Sequence, residues 1–305
     1  MNESPQEYRA GFVAVLGRPN VGKSTLINAL LGQKIAAVSP KAQTTRRNQL
    51  GILTQENAQI IFTDTPGLHK ERNKLGALMN NEALHALEDV DMVLFVVDAS
   101  SNPQDEDRTL AKKLVRTRNI GPVLLVLNKT DLLDSLQLER RQKSYRNLLD
   151  HELDLAVSAS NGSGLPDLLQ NIIQRLPFGP AFYPEDQVTD LYERQIAADL
   201  IREAALKKLQ DEIPHGIAVR IDDFVERGDK GALIEATLFV ERESHKAIVI
   251  GEGGKMVKAI GKAARLEIES MSGRKVFLRL RVKVRKNWRD DENILSRFGY
   301  QKRKS

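Results

Sequence analysis

Gly17, Arg18, Pro19, Asn20, Val21, Gly22, Lys23 and Ser24 form a run, GRPNVGKS, set between a stretch at 12–16 that is apolar on every position and a helix-patterned stretch at 24–31. No other feature restricts the chain as much. A glycine-rich turn that leaves a buried strand and enters a helix lets backbone N–H groups converge on one point, at which the positive end of the helix also aims. Such a turn cradles phosphates. Lys23 reaches the outer oxygens, and the hydroxyl of Ser24, followed by Thr25, is a ligand for Mg²⁺. A plain turn before a helix would need only the glycines and gives no reason for the Lys-Ser pair.

The stretches at 12–16, 60–62, 92–97 and 123–127 are apolar throughout rather than alternating. Continuous runs of this kind fit strands buried on both faces of a parallel sheet covered by helices. Helix-patterned segments at 24–31 and 77–87 lie between them, and a further strand at 153–157 precedes a closing helix at 165–176 entered through Pro166. The expectation is a doubly wound, mostly parallel α/β domain. Residues 49–54 and 58–63, joined by three residues, look like an antiparallel hairpin at the sheet edge. Three prolines and a glycine fall within 176–184, a stiff composition poor at regular structure. We therefore expect domains at 1–176 and 190–305, with a linker at 177–189. Beyond the linker come a long helix (190–209), strands at 217–225 and 232–241, a glycine-rich turn with a helix, and a last strand at 276–286. This is a smaller α+β arrangement.

With 305 residues the chain can bury two cores without covalent support. It has no cysteine, which excludes disulfides, thiolate metal sites and a thiol nucleophile and suits a reducing compartment. The polar N-terminus and the lack of about 18 consecutive apolar residues point away from secretion and membrane spanning, so a cytoplasmic location is expected. Charge is uneven. Residues 245–305 hold 17 Lys and Arg against 6 Asp and Glu, whereas residues 1–244 hold 29 against 35. Such asymmetry points to a polyanionic partner that docks on the last fifth of the chain.

Further polar motifs follow the apolar runs. Asp64, Thr65, Pro66 and Gly67 come after the strand at 60–62, where a carboxylate would emerge beside the phosphate loop and hold Mg²⁺ through water, and where the Gly67 N–H would meet a γ-phosphate. Thr44 and Thr45 lie in a polar stretch, and one of them, with Thr45 favoured, is the second protein ligand for the metal. Asn128, Lys129, Thr130 and Asp131 follow the strand at 123–127. A carboxylate accepts two hydrogen bonds, and guanine offers two adjacent donors, so Asp131 selects guanine. The stem of Lys129 can cover the base, and Ser158, Ala159 and Ser160 can present a backbone N–H to its carbonyl.

In this order GRPNVGKS, QTTRR, DTPGL, NKTD and SAS, then VIGEGGKMVKAIG and NWRDDENILSRFGY, resemble the translation-factor class of GTPases and within it the Era family, over residues 10–300. The resemblance implies binding of GTP and GDP, GTP hydrolysis with Mg²⁺, and a second domain of the type II KH fold. It further implies that this domain binds small-subunit (16S) ribosomal RNA near its 3′ end, in 16S rRNA processing and 30S subunit biogenesis, with the chain acting as a monomer. Leu68 stands where many small GTPases carry a water-orienting glutamine, so slow hydrolysis is expected. In related GTPases an asparagine at the position of Asn20 helps bind K⁺, which adds positive charge near the transition state. The catalytic set expected is Asn20, Lys23, Thr45 and Gly67.

The RNA site is expected at Ile250, Gly251, Glu252, Gly253, Gly254 and Lys255, a GxxG loop that lets a nucleic-acid backbone approach while bases lie in an adjacent groove. Glu252 opposes a phosphate, and Lys255, Lys258 and Lys262 offset it. In the strand at 276–286, Arg279, Arg281, Lys283 and Arg285 share one face, which is either RNA-facing or simply solvated. The rival to an RNA partner is anionic lipid at the inner face of the cell membrane.

Overall fold

The continuous apolar runs become the inner strands of a six-stranded sheet. The computed structural model describes residues 8–300, other than 40, 42–43, 68–70, 72, 89, 118–119, 192, 211–212 and 227–230. The chain first forms β1 (Arg9–Leu16), α1 (Lys23–Leu31), β2 (Gln49–Gln55), β3 (Ala58–Asp64), α2 (Lys74–His85), β4 (Met92–Asp98) and α3 (Asp105–Arg116). It continues with β5 (Val123–Asn128), α4 (Ser135–Arg146), β6 (Leu153–Ala156) and α5 (Leu165–Arg175). The strand order is β2-β3-β1-β4-β5-β6, parallel throughout except for the hairpin of β2 and β3.

Two apolar layers explain the lack of alternation. Val13 and Val15 pack with Leu26, Ile27, Leu168 and Ile172, while Ala14 and Leu16 pack with Leu110, Leu114 and Tyr145 on the other face. Each aliphatic side chain buried this way stabilises the fold by about 1.5 to 3 kcal/mol. Parallel pairing also sets the register. Val15 lies opposite Asp64, Asp98 opposite Asn128, and Leu127 opposite Ala156, so the C-terminal ends of five strands share one edge. Because β1 has neighbours on both sides that are reached by separate crossovers, a crevice opens at its end.

Two compact units are present. The first comprises Met1–Ala36, Thr45–Lys70 and Met79–Asp190, and the second Ala37–Thr44, Glu71–Leu78 and Leu191–Ser305. Residues 177–190 therefore group with the first unit rather than standing free as a linker. Proline removes donors, but the intervening residues still bond. Ala10 N donates to Pro177 O (3.1 Å) and Gly179 N to Tyr8 O (3.0 Å). Buried Gln59 accepts from Phe182 N (2.7 Å) and Tyr183 N (2.9 Å) and donates to Tyr183 O (2.9 Å). Further along, Ile52 N donates to Val188 O (2.9 Å), so this segment covers the open side of β2.

The second unit contains α6 (Glu193–Lys208), β7 (Ala218–Glu226), β8 (Ala232–Val240), α7 (Glu243–Ile250), α8 (Lys255–Ser272), β9 (Val276–Val284) and α9 (Glu292–Arg297). Its sheet runs β7-β8-β9, the first pair antiparallel and the second parallel. Ile196, Leu200 and Ile201 of α6 and Ile260, Ala264 and Ile268 of α8 cover the face bearing Ile234, Ala236 and Leu238. The apolar residues 248–250 end a helix, α7, that is absent from the sequence expectation. Segments 37–44 and 71–78 join this unit through bonds such as Val38 N to Glu203 (3.1 Å) and Lys74 N to Asp290 (3.1 Å), which chain continuity does not foretell. Trp288, fully buried, donates to Gly216 O (2.9 Å) and packs against Phe298, which gives the terminal motif a role in the core.

Candidate nucleotide and nucleic-acid sites

The phosphate loop joins β1 to α1, and its geometry depends on Gly22. With φ at 100° this residue is in the left-handed region, and a Cβ there would fall 2.3 Å from Asn128 Nδ2. Gly67 approaches the same loop, since a Cβ on it would lie 2.7 Å from Pro19 N. Lys23 is buried, and its Nζ donates to Gly17 O (2.9 Å) and Arg18 O (3.1 Å). Burial pushes its ammonium down from 10.5 to about 8, with Asp64 pulling in the opposite direction. Asn20 is exposed and has a φ of 65°.

Three oxygens converge beside that lysine. Ser24 Oγ lies 2.6 Å from Asp64 Oδ2 and 2.9 Å from Thr45 Oγ1, and Thr45 Oγ1 lies 3.1 Å from Asp64 Oδ2. Two hydroxyls and a carboxylate are hard donors of the kind Mg²⁺ takes. The structure separates the two threonines, because Thr44 Oγ1 donates instead to Lys41 O (2.7 Å). Buried Thr65 donates to Val15 O (2.7 Å) and fixes the turn that follows β3. Leu68 lies outside the described residues.

At the end of β5, Asn128 is used from both sides. Its Nδ2 donates to Val21 O (2.8 Å) and its Oδ1 accepts from Ala159 N (3.0 Å), so one amide pins three loops. Asp131 is exposed, and one carboxylate oxygen accepts from Ser158 Oγ (2.6 Å), which orients it. Ser158 N donates to Ser163 O (2.9 Å), so the N–H groups of Ser158 and Ala159 are both engaged. Lys129 has a φ of 67° and donates to Asp98 Oδ2 (2.7 Å). Asp98 is absent from the sequence expectation, yet it ends an apolar strand in a carboxylate, as Asp64 does. That signature could have found it.

In the second unit the GxxG loop connects α7 to α8. Gly251 has a φ of 72°, and a Cβ on it would fall 2.7 Å from Met256 Cβ, so only glycine fits there. Glu252 and Lys255 are exposed and meet at 3.4 Å. Beside the loop lies a groove of about 390 Å³ lined by Val257, Lys258, Gly261, Lys262 and Arg265 of α8 and by Leu278, Arg279 and Leu280 of β9. The structure brings Lys258 and Lys262 together with the apolar Leu278 and Leu280, which the sequence expectation assigns to no site. The spacing 258, 261, 262, 265 marks one helix face, but sequence does not show which strand faces it. On the outer face of β9, Arg279 and Arg281 share Glu235 (2.6 and 3.0 Å), so part of its positive charge is balanced within the sheet.

Comparison with known proteins bears on both sites. Residues 12–129 match the family described as 50S ribosome-binding GTPase, and residues 212–289 match the KH domain. GTPase Era of Ruminiclostridium cellulolyticum is 44% identical over 298 residues, covering 98% of this chain and 99% of that protein. GTPase Era of Caldanaerobacter subterraneus subsp. tengcongensis is 46% identical over 294 residues, covering 96% and 98%. The chain belongs to the Era GTPase family. Among solved structures, Era in complex with MgGDPNP and nucleotides 1506–1542 of 16S ribosomal RNA superposes with a TM-score of 0.90 at 38% identity, covering 96% of this chain and 99% of that one. An Aquifex aeolicus Era variant bound to GDP.AlF4⁻ superposes with a TM-score of 0.89 at 38% identity over the same shares. Era membership thus agrees with a P-loop GTPase fold followed by a KH fold.

Proposed function

We propose that this protein binds GTP and GDP with Mg²⁺, hydrolyses GTP, and binds the 3′ end of 16S ribosomal RNA through its KH region during assembly of the 30S subunit in the cytoplasm. One observation carries the nucleotide half: the convergence of Ser24, Thr45 and Asp64 oxygens beside a buried lysine. These residues would hold Mg²⁺, directly through the hydroxyls and through water at the carboxylate. When bound, the ion neutralises charge developing on the phosphate oxygens. Lys23 turns from its two carbonyls to the phosphates, Gly67 offers its N–H to the γ-phosphate, and Asp131 pairs with the two guanine donors. Ser160 meets the guanine carbonyl, or Ala159 does so after Asn128 releases it. The nucleotide half of this reading belongs to the first unit, which runs to Asp190, and the RNA half to the second, from Leu191 onward.

Asn20 supports a monovalent cation at the loop. Hydrolysis is expected to run faster in K⁺ than in Na⁺ at equal ionic strength, and equal rates would remove that part of the proposal. For RNA, the apolar floor of Leu278 and Leu280 suits base stacking, and its rim of Lys258, Lys262 and Arg265 suits phosphates. Filter binding of a 3′-end 16S oligonucleotide tests this half. Sedimentation with anionic vesicles tests the lipid alternative, since both draw on the same basic surplus. Binding to vesicles but not to RNA would reverse the assignment. Among the described residues no helix is long and apolar enough to cross a membrane.

A further inference from the structure

Four charged groups connect the loop of β1 to the loop of β5. Lys129 Nζ donates to Asp98 Oδ2 at 2.7 Å, and Arg18 Nη2 lies 3.8 Å from the same oxygen. Arg18 Nε donates in turn to Asp107 Oδ2 at 3.2 Å, and its Nη2 donates to Ser101 Oγ at 3.1 Å. Asp107 is fully buried at the start of α3 and also accepts from Gln104 N (2.9 Å). The other oxygen of Asp98 accepts from Ser100 N (3.0 Å) and Ser100 Oγ (2.6 Å), so the carboxylate cannot swing away from its two cations. Burial opposes its ionisation, but the hydrogen bonds from Lys129 and Ser100 outweigh that effect and hold the carboxyl below its ordinary range.

We infer that Asp98 is a positioning residue for the nucleotide: it holds the ammonium of Lys129 so that the side-chain stem lies flat over the base, and it ties that lysine to Arg18 of the phosphate loop. The inference rests on the guanine-site assignment above. A flexible lysine on a left-handed residue would otherwise sweep a wide arc, and ordering its stem at the moment of binding costs affinity. Fixing the ammonium beforehand removes that cost without touching the groups that choose the base. Asp98 therefore affects how long any purine nucleotide stays, and Asp131 which purine it is.

The test uses the full chain and a fluorescent GDP analogue, with release measured for wild type, Asp98→Asn, Lys129→Ala and the double variant. Asp98→Ser replaces Asp98→Asn if the latter melts early, and the melting temperature of each variant monitors folding. Release from Asp98→Asn is expected to be about tenfold faster, as for loss of one charge-assisted hydrogen bond. The double variant should release no faster than Lys129→Ala alone. GTP should show a raised KM with unchanged kcat, and the preference for GDP over IDP should stay as in wild type. Wild-type release from folded Asp98 variants while Lys129→Ala is impaired would overturn the inference and leave the base site standing, as would effects that simply add in the double variant. Wild-type release from Lys129→Ala as well would remove the base-site assignment, and the inference with it.

Discussion

The two sites use opposite solutions to the binding of phosphate-bearing ligands. At the nucleotide site the polar groups are mostly buried, each held by one or more directional bonds from a neighbouring loop, as with Lys23, Asp64 and Asn128. At the GxxG loop the polar groups are exposed and connected by little more than one loose pair, Glu252 with Lys255. Buried polar groups are strong and unforgiving, because losing one partner leaves the other unpaired in a poorly solvated place. Exposed cations act additively and are screened by salt. The first arrangement suits one small ligand read atom by atom, and the second suits a long ligand held at many weak points.

The largest expected effect comes from the buried side. Lys23→Ala should reduce GTP affinity at least about a hundredfold, since it removes charged hydrogen bonds to two phosphates, while RNA affinity in filter binding stays unchanged. A loss of both would break the contrast. Next comes Gly254→Asp. Gly254 has a φ of 78°, a left-handed conformation that aspartate enters at less strain than most side chains, and a Cβ there meets only Lys258 Cε at 4.0 Å. The variant should fold, lose about tenfold in RNA affinity through repulsion of the backbone phosphate, and hydrolyse GTP at the wild-type rate. An unchanged RNA affinity would reject the loop as the RNA site.

Acidity should distinguish the sites more gently. The Lys23 ammonium is lost as pH rises through about 8, and the phosphates need it charged, so GTP affinity should be full below that value and weaken above it. A fall of about fourfold between pH 7 and about 8.5 follows from one such titration. The lysines assigned to the RNA site, Lys255, Lys258 and Lys262, are exposed, and RNA affinity over the same range is the reference curve. Parallel curves would show that the two sites are not chemically distinct in this way. Smallest of all, Glu252→Lys should strengthen RNA binding about threefold at low salt and less at high salt. Weaker binding would mean that Glu252 accepts a bond from the RNA.

Much of the nucleotide site could be read from the chain because the sheet is parallel: polar residues that immediately follow buried runs arrive at one edge whatever the loops do. Asp64 and Asn128 were legible for that reason. Asp98 obeys the same rule but belongs to no familiar motif, and its partner Arg18 lies 80 residues away in sequence. The choice of Thr45 over Thr44 depends on which hydroxyl turns inward, a matter of backbone direction over one residue. In the KH region, helix α7 is short, and three apolar residues at its end cannot by themselves be told from a strand. The groove needed β9 to be seen beside α8, a pairing fixed by the packing of Leu280 near Gly261 rather than by any local pattern. Segment 177–190 misleads for a different reason. Proline content predicts what its own backbone does badly, and the partner it finds, Gln59, lies on another element.

The amide of Asn128 has a consequence for kinetics. Since the loops that follow β1, β5 and β6 are fastened to a single side chain, loosening one of them costs a hydrogen bond at the residue that also holds the others. Nucleotide exchange in such a site is expected to couple the base and phosphate loops, so that release follows a single rate. A displacement of any one of the three loops would be felt by the other two through hydrogen bonds at this one residue.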